Sequence, residues 1–528
     1  MAKAIVWHAG DPGVQQRVTA WLAEPEGGSA QRIQEDARRV LHRLDDPEPD
    51  RESDPDRSSP RAPWAVKRHR SASGRHPWRE GAKRRLGRSP ARREWHALSR
   101  LHACGVPVPR PLAWGRLANG DEIVVSQWRH GVGLGRALAD ADEGERSEIL
   151  ERLARAISAL HDAGYRHGDL HHDNLLVERD RVTLLDHQRT RRRALARERL
   201  DDLAQLDLSL SRQGVMTSFR LDLRRRLGVE VELDGALREW LRDHLRGRSR
   251  RVLRVGRGWN AWLSASGRET RVGRLDRSFA ATDLGACLEA CESEQPADER
   301  RGGRSRIFTL SQGERQIVVK QDEAGSLRRA LADGLRGSSA RRAFERGQRL
   351  ALVSHWAPRP LAWAEERRWG LPQRSWLVLD SVGENDLDRF EAHSPMEAED
   401  CMRALGAWLG EGHAWGLRHR DLKASNLRIA RLDQGFRFWW LDLEDLELGR
   451  EPSDAARLRA LAQLNASLAD ELFSSHARRA GFDAYHARLP FGMNTRDVLK
   501  RIAGQSLARA HRWRGEDCEL AGPDSKCS

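Results

Sequence analysis

Lysine is scarce in this chain. Among its 528 residues, 92 are lysine or arginine, and only seven of these are lysine. The basic residues outnumber 78 acidic ones and give a formal net charge of +14. A basic excess permits nucleic acid, an anionic membrane or an acidic substrate as partner, and does not choose among them. Because arginine carries most of the charge, each position that keeps lysine is informative.

Long apolar runs and metal-type cysteine pairs are also missing. No stretch approaches the roughly 18 apolar residues of a membrane span, and the first residues lack the apolar core of a signal peptide. We therefore expect a soluble, cytoplasmic protein, with peripheral contact on the inner membrane face as the alternative. The six cysteines show no zinc-ligand spacing, which favours reduced thiols.

The sequence repeats itself. Three motifs recur in the same order: RPLAW at 110–114 and 359–363, HGDLHHDN from His167 and HRDLKASN from His419, and LAQLDLSL from Leu203 and LAQLNASL from Leu461. Three matches at nearly one spacing indicate a duplication. We expect a first domain over 1–270 and a second over 271–528.

Two segments of the first copy differ from the rest in composition. Residues 45–63 are acidic and rich in proline, which predicts a disordered loop. Residues 68–93 form a basic insertion that contains one acidic residue, Glu80. This insertion is either a solvated face or a docking surface for phosphorylated lipid or an anionic bilayer. Nucleic acid is disfavoured because no DNA- or RNA-binding motif accompanies the charge.

Hydrophobic periodicity predicts an α+β fold. Short apolar runs indicate strands at Ala65-Val66, Ile123–Val125, Val182–Leu185, Ile317–Val319, Trp376–Leu379 and Phe438–Leu441. Apolar residues at helical spacing precede HGDLHHDN in the first copy and HRDLKASN in the second. Each copy therefore consists of strands, then a helix, a polar loop and a further strand.

The polar loop carries the residues that phosphoryl transfer needs. That reaction requires a carboxylate for the nucleophile's proton, and an amide with a second carboxylate to hold Mg²⁺ against the phosphates of ATP. The first copy offers Asp169, Asn174 five residues later and Asp186 at the next strand end. The second copy offers the corresponding residues Asp421, Asn426 and Asp442. We predict that Asp169 and Asp421 are catalytic bases. The two asparagines and the two strand-end aspartates are predicted to bind metal.

The same chemistry needs a cation on the α- and β-phosphates, usually a strand lysine paired with a helix glutamate. Lys67 and Lys320 each end an apolar run upstream of the loop. The candidate glutamates are Glu94 in ARREWHAL and Glu345 in ARRAFERG. These four residues are expected to position the phosphates of ATP.

These motifs resemble a known family. The order of strand lysine, REWHALSRLHACGVPVPRPLAW at 93–114, HGDLHHDN and LLDHQR is similar to the lipopolysaccharide kinases that act on core heptose and Kdo. The resemblance implies an atypical protein-kinase-like fold, with a small antiparallel-sheet lobe and a helical lobe in each of two tandem domains. It covers most of residues 60–245 and 305–470.

The resemblance implies an ATP-dependent kinase whose acceptor hydroxyl belongs to a lipopolysaccharide core sugar. Lys423, two residues after Asp421, resembles the lysine of protein-serine/threonine kinases that contacts the transferred phosphate. A protein acceptor is therefore one alternative. Neither copy has a GxGxxG loop before its lysine and neither has the DFG motif, so a non-catalytic pseudokinase scaffold is a second alternative. A basic protein that binds an anionic partner is a third.

Overall fold

The computed structural model describes residues 5–23, 30–35, 39–45, 63–71, 89–192, 195–229, 232–241, 259–266, 269–276, 279–292, 299–302, 305–313, 315–383, 385–432 and 435–515. Most of the acidic segment 45–63 and of the basic insertion 68–93 therefore lies outside the described residues. The chain forms two compact units, Met1–Leu210 with Asp222–Leu233, and Ser211–Leu221 with Asp234–Ser528.

The first unit contains a six-stranded antiparallel sheet in the order β1-β5-β6-β4-β3-β2. Its strands are β1 (Ile5–Gly10), β2 (Ala30–Glu35), β3 (Arg39–Leu44), β4 (Trp64–His69), β5 (Pro111–Leu117) and β6 (Glu122–Gln127). On β4, Trp64 and Val66 are buried in a core that includes Val14 and Val18 of helix α1 (Pro12–Ala23). Because side chains alternate along a strand, Lys67 lies on the opposite face of the sheet.

The rest of the first unit is mainly helical. Its helices are α2 (Pro90–Ala103), α3 (Leu134–Asp140), α4 (Glu143–Asp162), α5 (Ala196–Arg212) and α6 (Thr217–Arg226), the last two of which cross sequence divisions between the units. Short strands connect them: β7 (Val132–Gly133), β8 (Tyr165–Arg166), β9 (Leu175–Val177), β10 (Val182–Leu184) and β11 (Arg191–Arg192). The β9–β10 hairpin brings Asn174, at the end of the polar loop, next to Leu185, which follows β10.

The second unit contains a seven-stranded sheet in the order β12-β13-β17-β18-β16-β15-β14. Its strands are β12 (Trp259–Ser266), β13 (Glu269–Asp276), β14 (Glu299–Gly302), β15 (Ser305–Gln312), β16 (Arg315–Glu323), β17 (Pro360–Arg368) and β18 (Leu371–Asp380). Ile317 and Val319 of β16 are buried in the core under helix α7 (Ala281–Glu292). Lys320 consequently lies on the opposite face, as Lys67 does in the first unit.

The second unit also contains further helices and short strands. Its other helices are α8 (Leu327–Arg336), α9 (Ser339–Leu350), α10 (Pro395–Ala414), α11 (Asp454–Ser467), α12 (Ser475–Arg488) and α13 (Thr495–Leu507). Its short strands are β19 (Asn385–Asp386), β20 (Leu417–His419), β21 (Leu427–Leu432), β22 (Gly435–Trp440) and β23 (Leu446–Leu448). Among the described residues, no helix is both long enough and apolar enough to cross a lipid bilayer.

The α+β fold and all six predicted strand positions are confirmed. Two features differ from the prediction. The expected division at 270/271 falls inside β13. This strand pairs with β12 and β17 of the second sheet, so β12 and β13 both belong to the second unit. In addition, a β2–β3 hairpin precedes the acidic segment, where the sequence analysis predicts no strand.

Candidate active site

Lys67 lies in a buried cluster of carboxylates in the first unit. Its Nζ donates hydrogen bonds to Oε1 of Glu94 on α2, at 2.8 Å, and to Oδ1 of Asp186, at 3.0 Å. Burial alone would lower the pKa of Lys67, but the charges of the two carboxylates outweigh it and raise this pKa. The lysine is therefore held as a cation by groups from a helix and from the end of a hairpin.

Asp186 follows strand β10 in a left-handed backbone conformation, with φ of 60°. Its carboxylate also accepts hydrogen bonds from Nη1 of Arg39 on β3 and from Nε2 of Gln188, both at 2.6 Å. Burial disfavours the charged form, yet Lys67, Arg39 and Gln188 together hold the pKa of Asp186 well below its usual range. The carboxylate is ionised at neutral pH.

The loop before β9 positions Asp169. Its Oδ1 accepts hydrogen bonds from Nε2 of Gln205 on α5, at 3.1 Å, and from Nη1 of Arg189, at 3.2 Å. Nδ2 of Asn174 donates to the backbone carbonyl of Asp169 at 2.9 Å. The amide nitrogen of Asn174 thus braces the loop, and its Oδ1 is the atom suited to ligate a cation.

A carboxylate on α5 holds the backbone of this loop in place. Asp202 accepts hydrogen bonds from the backbone nitrogens of His167, at 2.6 Å, and Gly168, at 2.8 Å. The Nε2 of His167 lies 2.9 Å from the carbonyl of Leu185. Burial lowers the pKa of His167, so the imidazole is neutral and donates to this carbonyl. His167 acts as a structural brace.

In the second unit the lysine bonds to two carboxylates of the loop after the hairpin and to none on the preceding helix among the described residues. Nζ of Lys320 donates to Oδ1 of Asp442 at 2.6 Å and to Oε1 of Glu444 at 3.4 Å. Burial would lower the pKa of Lys320, but Asp442 and the neighbouring carboxylates raise it. Asp442 repeats the left-handed conformation of its counterpart in the first unit, with φ of 49°.

The predicted pairing of Lys320 with Glu345 differs from the structure. Glu345 pairs with Arg341 on the same helix at 3.2 Å. When the N-cap serines Ser89 and Ser338 are aligned, the helix position that corresponds to Glu94 is Ala343, two residues before Glu345. Ala343 and Glu444 both line a cavity of about 30 Å³ beside Lys320.

The second polar loop otherwise matches the first. Oδ1 of Asp421 accepts a hydrogen bond from Nε2 of Gln463 at 3.2 Å, and Oδ2 pairs with Nζ of Lys423 at 2.7 Å. Nδ2 of Asn426 donates to the carbonyl of Asp421 at 2.7 Å. Lys423 is therefore placed beside the carboxylate that was predicted to be the base.

Sequence reasoning missed several residues of these sites. Gln205 and Gln463 occupy the same position of the repeated LAQL motif, and this repetition was the available signal for their role. Arg39 and Glu444 had no such signal, because each is present in one copy only. Asp202 is likewise confined to the first copy, since Ala460 occupies its place in the second.

Sequence comparison finds relatives that match part of the chain. The EKC/KEOPS complex subunit bud32 of Aspergillus fumigatus is 32% identical over 143 residues, which are 22% of this chain and 50% of the relative. The subunit of the same name from Emericella nidulans is 31% identical over 144 residues, with the same coverage. The chain spans about half the length of these curated relatives.

Two solved structures are similar to part of the chain. The structure of WaaP in complex with acyl carrier protein has 22% sequence identity and a TM-score of 0.29, and the match covers 46% of this chain and 93% of WaaP. A thermostable mutant of aminoglycoside phosphotransferase APH(4)-Ia has 12% identity and a TM-score of 0.29, with 42% and 87% coverage.

The family comparison covers more of the chain than either of these. The profile of the lipopolysaccharide kinase (Kdo/WaaP) family matches residues 64–222 and 291–485, one segment in each half of the chain. Together these segments exceed half of the sequence, and they include both lysines and both polar loops described above. The chain belongs to the lipopolysaccharide kinase (Kdo/WaaP) family.

Proposed function

We propose that this protein transfers the γ-phosphoryl group of Mg-ATP to a hydroxyl of a lipopolysaccharide core sugar. The observation that carries this proposal is the first-unit cluster in which Lys67 bonds to Glu94 and Asp186. A buried ammonium with ionised carboxylates is the arrangement that binds the α- and β-phosphates beside a metal ion. We assign one kinase-like domain to each half of the chain, joined before β12.

Asp169 is the proposed base of the first unit. As the acceptor oxygen bonds to the γ-phosphorus, the bond between that phosphorus and the β–γ bridging oxygen breaks, and ADP leaves. The acceptor proton passes to the Asp169 carboxylate, which Gln205 holds by a 3.1 Å hydrogen bond. Lys67 offsets negative charge on the phosphates, and positioning together with charge stabilisation lowers the barrier.

The residues proposed to hold Mg²⁺ fit this ion. Carboxylate and amide oxygens are its preferred protein ligands, and Asn174 with Asp186 supplies one of each. The amide nitrogen of Asn174 is committed to the Asp169 carbonyl, which leaves the oxygen as the ligand atom. Asn426 and Asp442 form the corresponding pair in the second unit. The bound ion would neutralise charge on the phosphates.

The second unit is proposed to carry out the same reaction with Asp421 as base. Its lysine, amide and second carboxylate are all present, although Glu345 does not take part. The short contact between Lys423 and Asp421 favours a second candidate function, phosphorylation of a protein serine or threonine. A lysine beside the base is placed to contact the transferred phosphate.

The acceptor can be identified by following the label. The full chain is incubated with γ-labelled Mg-ATP, a lipopolysaccharide core oligosaccharide and a casein-type protein, and the product that carries the label is determined. We expect label in the oligosaccharide, with none after replacement of both Asp169 and Asp421 by Ala. Label in the protein alone would support the second candidate. Tight Mg-ATP binding without transfer to either acceptor would support a pseudokinase scaffold.

Two further expectations remain predictions. The basic insertion 68–93 is expected to face solvent or an anionic membrane, but most of it lies outside the described residues. A cytoplasmic location is likewise expected from the sequence alone. Both are separate from the phosphotransferase proposal, which depends on the described cluster around Lys67.

A further inference from the structure

The helix that precedes β5 and the helix that precedes β17 can be placed in register by their N-caps. The Ser89 hydroxyl accepts a hydrogen bond from the backbone nitrogen of Arg92, and the Ser338 hydroxyl accepts one from Arg341. Each cap therefore bonds to the third residue after itself, as a serine N-cap does. Glu94, five residues after Ser89, then corresponds to Ala343, which is 4% exposed.

A second register is set at the loop that follows the hairpin. Asp186 and Asp442 share the left-handed conformation, which few non-glycine residues adopt. Two residues later the first unit has Gln188, whose amide donates to Asp186, and the second unit has Glu444, which accepts from Lys320. Taken together, the two alignments show that the carboxylate that contacts the lysine has moved from the helix in the first unit to the loop in the second. Where the helix provides a carboxylate, the loop provides an amide, and where the helix provides alanine, the loop provides the carboxylate.

The helix of the second unit remains linked to this carboxylate through an arginine. Nη2 of Arg342 on α9 lies 3.3 Å from Oε2 of Glu444, and its Nη1 lies 3.0 Å from Oδ1 of Asp333. The helix thus contributes a cation where α2 contributes an anion. In the first unit the lysine bonds directly to the helix, whereas in the second it bonds to the loop, which bonds to the helix.

We propose that Glu444 positions Lys320 for the phosphates of ATP in the second unit, taking the place of the helix glutamate of the first, and that Arg342 holds Glu444. This inference rests on the proposed function. Both carboxylates on Lys320 belong to one loop, two residues apart, so displacement of α9 breaks the contact to Arg342 and leaves the lysine pairs intact. Displacement of α2 in the first unit removes Glu94 from Lys67. The two sites consequently differ in how strongly they depend on the position of the helix.

The test is Glu444→Gln in the full chain, with Asp169→Asn to silence the first unit. Loss of one hydrogen bond between charged partners is expected to raise the KM for ATP about tenfold or more, with a smaller change in kcat. Ala343→Glu added to Glu444→Gln reproduces the arrangement of the first unit and is expected to restore the KM. Glu345→Gln is the matched control, because Glu345 pairs with Arg341.

A second readout does not depend on catalysis. Amine-reactive labelling, mapped by mass spectrometry, resolves Lys320 because the chain contains only seven lysines. Removing the Glu444 contact is expected to change the labelling profile of Lys320, followed as extent against time at one pH, towards faster labelling, and Ala343→Glu is expected to reverse the change. An unchanged profile and KM in a folded Glu444→Gln protein would overturn the inference, as would an equal effect of Glu345→Gln. If the parent protein transfers no phosphate, the proposed function fails while the labelling still tests the contact.

Discussion

Arg39 donates a hydrogen bond of 2.6 Å to the carboxylate of Asp186, the residue proposed to bind Mg²⁺ in the first unit. The second unit has no equivalent cation at this register. Arg39 lies opposite His69, two residues beyond Lys67, and the residue opposite Asp322, two residues beyond Lys320, is Ser305. The proposed metal ligand of the first unit is therefore shared with a guanidinium, and Ser305 occupies the register position of Arg39 in the second unit.

Arg39→Ser is expected to lower the Mg²⁺ concentration for half-maximal ATP binding to the first unit. The Arg39 guanidinium would compete with the proposed metal ion for the Asp186 carboxylate, so removing the guanidinium is expected to favour metal binding. The measurement is a Mg²⁺ titration of ATP binding in the full chain with Asp442→Asn, which weakens the second site. Arg32→Ser is the matched control, because Arg32 pairs with Glu35 at the surface. An unchanged or higher Mg²⁺ requirement would contradict the competition.

Gln205→Ala is expected to lower kcat of the first unit about tenfold while leaving the KM for ATP nearly unchanged. The amide holds one oxygen of Asp169, so its loss would misalign the proposed base and leave Lys67, the lysine proposed to bind the phosphates, in place. Steady-state kinetics with Asp421→Asn present measure this effect. Gln15→Ala is a suitable control, since Gln15 bonds to the exposed carbonyl of Gly10. A parallel rise in KM would show that Gln205 acts on nucleotide binding.

The sequence contained enough information to predict the lysines, the loops and the carboxylates after the hairpins, because each appears twice at similar spacing. It did not predict the partner of Lys320, since spacing along the chain is a poor guide to helix register when the connecting segment differs in length. Aligning the N-cap serines, Ser89 and Ser338, would have identified Ala343 as the helix position that corresponds to Glu94. The β2–β3 hairpin was missed because its strands are mostly polar, with five of six residues of β2 exposed.

Asp202→Asn is expected to destabilise the first unit by about 1–3 kcal/mol, the cost of leaving a buried donor unpaired. Asp202 is 1% exposed and accepts from the backbone nitrogens of His167 and Gly168. The asparagine amide would place a donor against one of these nitrogens. Urea unfolding of the full chain measures the change. Asp201→Asn should have little effect, because the Asp201 side chain is 41% exposed.

Acidification is expected to destabilise the second unit through His413. Burial, together with the charges of Arg457 and Arg418, lowers the pKa of His413 to about 3. Between the usual histidine pKa of about 6.5 and this value, the unfolded chain takes up a proton that the folded chain refuses. Stability should therefore be full above pH 6.5 and fall by about 1.4 kcal/mol per pH unit below it.

His413→Gln tests this pH dependence. The replacement is neutral at all pH values and can keep a hydrogen bond to the Tyr485 hydroxyl, which lies 2.7 Å from Nδ1 of His413. Urea unfolding at pH 7 and pH 5 should show a smaller difference for the variant than for the parent. Equal differences would mean that other groups cause the acid sensitivity. His187, whose pKa burial lowers to about 3, is expected to contribute in the same way in the first unit.

The central claim is that carboxylate-assisted phosphoryl transfer occurs at one loop in each unit. The most direct measurement is the initial rate of ADP formation and acceptor labelling by the full chain and by three variants, Asp169→Asn, Asp421→Asn and the double replacement. Because both carboxylates are proposed as bases, each single variant is expected to keep part of the rate, and the double variant to lose about 100-fold or more while it still binds Mg-ATP. A double variant with the parental rate would contradict the account.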